Sequence, residues 1–101
     1  MRDDKQGNEA WIGDAVLALF AREWILKDPS ITPKERAVAF KNMTSNQFLS
    51  SVGEPTAMEA RIGRIYESEG LRAAFEHIES TFLPLFKKQQ AKARRPGSYR
   101  N

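Results

Sequence analysis

Two acidic residues stand among neighbours that do not favour acids. The stretch EAWIGDAVLALFAREWIL, residues 9–26, reads as a helix that is apolar almost all round, yet Asp14 lies in its first half, directly after Gly13. A mid-helix glycine costs about 1 kcal/mol relative to alanine, and aspartate is a poor helix former. At helical spacing the neighbours of Asp14 are Ala10, Trp11, Leu17 and Ala18. A carboxylate set there needs a hydrogen bond, an ion pair or a cation, because burying it alone is costly. A position near the helix start offers a second explanation, the favourable end of the macrodipole.

Glu59 is the second such acid. In PTAMEARIGRIY it shares a face with Ile62, Gly63 and Tyr66, while Arg61 and Arg64 fall on a basic outer face. Here too a local explanation competes: Thr56 and Glu59 have capping-box spacing, with Pro55 beside them. Each segment also carries an Ile–Gly pair, Ile12–Gly13 and Ile62–Gly63. Mid-helix glycines often mark a close approach of two backbones. If the two helices cross at their glycines, Asp14 and Glu59 converge. Two carboxylates with no Lys or Arg on their faces suit a hard divalent cation, and Mg²⁺ takes one or two carboxylates plus waters and substrate phosphates.

The elements that must position these acids are all helical. No period-2 run lasts, and an all-α domain of about five helices with no sheet is expected. The first helix runs from about Asn8 to Lys27 and is ended by DPS. Thr32, Pro33 and Glu35 form a strong helix start, with Ala37, Val38 and Phe40 as the apolar residues of a short helix ending near Asn42. Thr44 and Gln47 have capping-box spacing for a helix to about Val52. A fourth helix covers about Pro55 to Ser68 and stops at Gly70. The last runs from near Leu71 to about Gln90, with Leu71, Ala74, Phe75, Ile78, Phe82 and Leu83 on one stripe and Pro84 placing a kink in it.

Composition narrows the classes. The 101 residues are 41% hydrophobic and 29% charged, which suits one globular domain. The absence of cysteine excludes disulfides and thiolate metal sites. No apolar run is long enough to span a membrane, and the polar start MRDDKQGNE is wrong for a secretory signal, so a cytoplasmic location is expected. The net charge of +3 is unevenly spread: residues 1–86 carry −3, and residues 87–101 carry +6 from Lys87, Lys88, Lys92, Arg94, Arg95 and Arg100. This divides the chain into a body, 1–86, and a basic C-terminal tail, 87–101. The tail reads either as an arm that touches phosphates or as solubilising charge.

The two acidic segments resemble the signatures of the ribonuclease III family. EAWIGDAVL resembles that family's ERLEFLGDAVL helix, and MEARIGRIYESEG resembles D-x-x-EALIGAIYLDGG. Between them MTSNQFL resembles the LVSN-x-x-L segment, and GLRAAFEHIESTFLPLF resembles the domain's final helix. The matches fall in order over roughly residues 8–86. Asp14 matches the Asp of GD, and Glu59 the Glu of the second motif. The two earlier glutamates of the family helix fall on Gly7 and Ala10, Glu9 is out of register, and Thr56 stands where the family has Asp. This reduced pattern resembles the Mini-ribonuclease III subclass, which reads AYIGDAV and TxxEALIGY and has no double-stranded-RNA-binding domain. The long basic loop of that subclass is missing between the motifs.

The resemblance implies a ribonuclease III-like helical domain that cleaves double-stranded RNA with Mg²⁺, or Mn²⁺ in its place, in ribosomal RNA maturation. It implies Asp14 and Glu59 as catalytic metal ligands, with no small-molecule cofactor. It implies a homodimer, with Trp11 at the position of the family's interface aromatic; on residue type alone Trp11 is equally a core residue. Candidate RNA contacts are Arg61, Arg64, Lys87, Lys88, Arg94 and Arg95, each of which also reads as solvated charge, while Lys41 and Asn46 match less defined positions. His77, the single histidine, reads as a surface or edge residue. The competing implication is a ribonuclease III-like domain without activity, serving as a structural RNA-binding or ribosome-associated protein.

Overall fold

The computed structural model describes residues 4–94. Among them every regular element is helical: α1 (Lys5–Lys27), a 3-10 turn (Pro33–Glu35), α2 (Arg36–Thr44), α3 (Asn46–Ser50), α4 (Pro55–Glu69), α5 (Leu71–Thr81) and α6 (Leu83–Arg94). The protein is all-α, with no strand among the described residues. No helix there is long and apolar enough to cross a membrane.

Short polar side chains fix the helix ends, not always the ones the spacing suggests. Asp4 starts α1, its carboxylate accepting from the Gly7 amide at 2.9 Å. That start lies three residues before the expected Asn8. The Asp28 carboxylate accepts from the Ser30 amide and hydroxyl and turns the chain after α1. Glu35 reaches back to the Thr32 amide at 2.9 Å, as its spacing implies. At α3 the cap is Ser45, which accepts from the Phe48 amide, while the Thr44 hydroxyl donates to the Phe40 carbonyl inside α2. At α4 the cap is Glu54, whose carboxylate takes the amides of Thr56 and Ala57. Thr56 therefore sits inside the helix.

The expected long last helix is two helices. Proline lacks an N–H and its ring clashes with the carbonyl four residues back, so Pro84 cannot continue α5. It is instead accommodated in the first turn of α6, where no intrahelical donor is needed. That helix continues to Arg94, so the boundary expected between residues 86 and 87 falls inside a helix. Arg95 and Arg100 lie outside the described residues. At the other end of α5, Gly70 has φ 98°, a left-handed conformation that lets α4 stop and α5 begin without a linker.

Helix α1 is the hub. It packs most extensively on α4 and also touches α2 and α5. Leu17, Leu49, Ile62 and Ile78 are the largest fully buried side chains and join α1, α3, α4 and α5 in one core. An aromatic cluster closes the C-terminal half of α1. Phe20 meets Phe75 edge-on at 5.2 Å between ring centres, Trp24 meets Phe86 at 5.4 Å, and Phe48 meets Phe86 at 6.1 Å. Such edge-to-face pairs add about 0.5–1.5 kcal/mol each beyond burial. The N-terminal half of α1 is left to α4, and the two odd acids meet there.

Candidate functional site

The crossing of α1 and α4 is built from glycine. Both Gly13 and Gly63 are buried. A Cβ on Gly13 would overlap the carbonyl oxygen of Glu59 and come within 2.9 Å of the Gly63 nitrogen. A Cβ on Gly63 would overlap the carbonyl oxygen of Glu9 and come within 3.1 Å of the Gly13 nitrogen. Backbone therefore lies on backbone, and the convergence expected from the two Ile–Gly pairs is present. Around it Ala10, Ala60 and Ile62 are buried.

This contact brings Asp14 and Glu59 together. Asp14 is exposed and Glu59 half-buried. Burial pushes the Glu59 carboxyl up, and Asp14 adds to this by hydrogen-bonding the protonated form and by like-charge repulsion, so that its pKa rises to about 7. Arg64, one turn further along α4, is engaged elsewhere: its Nη1 donates to Glu9 Oε1 at 3.2 Å. The local explanation for Glu59 falls away, because Glu54 and not Thr56 caps α4.

A pair of adjoining carboxylates that holds a proton near neutrality has the donor chemistry for a hard divalent cation, which competes with that proton. It is a small donor set. Among the described residues no group of three or more His, Asp or Glu side chains is placed to hold a metal ion. Asp14 and Glu59 would be the protein's two ligands, with water and substrate oxygens completing the shell. The site is an open surface crossing. The larger groove of about 580 Å³ lies elsewhere, between α2, α3 and α6, over Ile31, Phe48 and Phe86.

The other expected residues divide into two groups. Trp11 lies three residues before Asp14 on the same helix, and it is 78% exposed; its reading as core is wrong for the isolated chain. Exposed Arg61 and half-exposed Arg64 stand on α4 beside the crossing. Arg61 borders His77, whose pKa is lowered by burial and by that arginine. His77 is half-buried, edge-on to Phe82 at 6.1 Å between ring centres, which fits an edge residue. Lys87 and Lys88 are exposed on α6, next to Phe86, which packs on Trp24. Trp24 lies ten residues along α1 from Asp14, roughly 15 Å at the helical rise. The structure thus keeps these two lysines away from the acid pair. Arg94 is the last residue of α6, and Arg95 lies outside the described residues. One participant escaped the sequence reading: Glu9, placed out of register, is the partner of Arg64.

No family model matches the chain, and neither a curated protein nor a solved structure matches it. The fold and the crossing therefore stand on their own geometry.

Proposed function

We propose that this protein is a Mg²⁺-dependent endoribonuclease that cleaves double-stranded RNA, with Asp14 and Glu59 as the metal ligands. The observation that carries this reading is the meeting of these two acids at the Gly13–Gly63 crossing. The ordered resemblance to ribonuclease III signatures supports the same assignment. Bound there, Mg²⁺ supplies activation of water and stabilisation of the charge that develops on the phosphodiester. The chain's own residues do the rest. Asp14 and Glu59 hold the metal at the surface, open to a duplex. Arg61 and Arg64, on the adjoining turn of α4, offer positive charge to backbone phosphates; Lys87 and Lys88, exposed on α6, offer further positive charge away from the acid pair. Recognition of an A-form duplex by shape, phosphates and 2′-hydroxyls suits such a flat, charged surface.

The active form is a homodimer. Trp11 exposes a large aromatic surface one turn from Asp14, and aromatic anchors of this kind suit a two-fold interface. Two copies would then present two acid pairs to one duplex. Maturation of ribosomal RNA in the cytoplasm is the process this activity fits.

A second reading is favoured by one observation: the donor set stops at two acids. Under it the domain binds structured RNA, as a ribosome-associated component, without cutting. Incubation with long double-stranded RNA, with and without Mg²⁺, separates the two. Mg²⁺-dependent shortening of the RNA supports the nuclease, retention of intact RNA supports the binding protein, and the absence of both binding and cleavage overturns both readings.

A further inference from the structure

The crossing is an approximate two-fold in both sequence and space. Residues 9–14 of α1 read EAWIGD and residues 59–64 of α4 read EARIGR, identical at four of six positions. Each glycine lies against the carbonyl of the other helix's glutamate and the nitrogen of the other helix's glycine. The residue after each glycine in turn meets the opposite glutamate. Asp14 stands beside Glu59, and Arg64 binds Glu9 at 3.2 Å. One geometry thus holds a repelling acid pair on one side and an attracting ion pair on the other. The Glu9 side chain is 16% exposed, so this ion pair is partly withdrawn from water.

Symmetry links the two pairs mechanically. At the glycines themselves no side chain separates the two backbones. A change in the crossing angle of α1 and α4 preserves the two-fold, so it opens both pairs together or closes both together. The Glu9–Arg64 attraction therefore opposes the Asp14–Glu59 repulsion. We propose that Arg64 is a positioning residue, which holds Glu9 across the crossing and thereby sets the separation of Asp14 and Glu59 for a divalent cation. This rests on the metal-site reading above and assigns Arg64 a task apart from contact with RNA.

The test is the affinity for Mn²⁺ alone, titrated on folded protein well below its melting temperature. Electrostatics by itself makes a clear contrary prediction: removing a nearby positive charge tightens cation binding. Positioning requires the reverse. Arg64→Ala is expected to bind Mn²⁺ about fivefold more weakly than wild type, the scale of one partly screened ion pair. Glu9→Arg combined with Arg64→Glu restores the pair with its charges exchanged and is expected to return affinity to within about twofold. Should Arg64→Ala fail to fold by circular dichroism, Arg64→Gln, which keeps most of the side-chain bulk, takes its place with the same expected loss. Equal or tighter binding in the folded Arg64 variant overturns the positioning role and leaves the metal site intact. Absence of Mn²⁺ binding in wild type, or binding unchanged in Asp14→Asn, overturns the metal site and this inference with it.

Discussion

Asp14 and Glu59 adjoin across the α1–α4 crossing, and burial, reinforced by Asp14, raises the Glu59 pKa to about 7. Two helices fifty residues apart in sequence need a glycine in each to come so close. The odd acid after Gly13 and the odd acid before Gly63 are therefore one feature of the fold.

The first prediction concerns pH. The folded protein binds the Glu59 proton more tightly than an unfolded chain with the ordinary value of 4.5. Its contribution to stability is full below about pH 4.5 and is lost as pH rises through 7. His77, lowered from 6.5, acts in the opposite sense and costs stability as pH falls below that value. Melting curves from pH 4.5 to 8 should show a fall in Tm toward high pH that is absent in Glu59→Gln, while the His77 slope at low pH remains. An unchanged profile in Glu59→Gln would show that the Glu59 pKa is not raised in the folded protein.

The second concerns the glycines. Alanine improves helix propensity by about 1 kcal/mol over glycine, but at Gly13 or Gly63 its Cβ would overlap a backbone carbonyl that cannot step aside. Overpacking of this kind costs about 1–3 kcal/mol or more. Denaturant unfolding should show Gly13→Ala and Gly63→Ala both clearly destabilised. At Gly53 the obstructing atoms are the flexible end of Met58, so Gly53→Ala should cost much less.

The third separates folding from association. Trp11 is 78% exposed, so Trp11→Ala should leave the unfolding free energy of the isolated chain within about 0.5 kcal/mol. Sedimentation velocity should find wild type dimeric and the variant monomeric. A variant that stays dimeric moves the interface elsewhere.

The fourth tests the start of α4. Glu54→Ala removes the acceptor for two free amides and should destabilise by about 0.5–2 kcal/mol, as for other N-caps. Thr56→Ala, with no capping role, should be close to neutral in thermal unfolding.

These cases show how far the sequence was legible. Helical periodicity is strong in α5 and α1 is a long, nearly all-apolar run, so the all-α class and the apolar stripe of Ala74, Phe75 and Ile78 could be read directly. The acid pair was legible because glycine and aspartate are both unfavourable inside a helix, and two unfavourable choices side by side point to a tertiary reason. Caps were less so. Thr44 and Ser45 are both competent, as are Glu54 and Thr56, and the choice depends on where neighbouring helices hold the chain. Pro84 signalled a distortion, and the chain divides into two helices at Phe82, whose ring is buried. The Glu9–Arg64 bond crosses between helices and has no local spacing to reveal it. The expected end of the last helix near Gln90 falls short of Arg94, where α6 ends, because the residues after Gln90 carry no apolar stripe to mark it.

Under the proposed function Asp14 and Glu59 together hold the metal at which RNA is cut. The direct measurement is Mg²⁺-dependent cleavage of long double-stranded RNA by wild type, Asp14→Asn and Glu59→Gln at equal folded concentration. The account predicts cleavage by wild type and a loss of about a hundredfold or more in each variant, since each removes one of two protein ligands. Cleavage by either variant at the wild-type rate would contradict it.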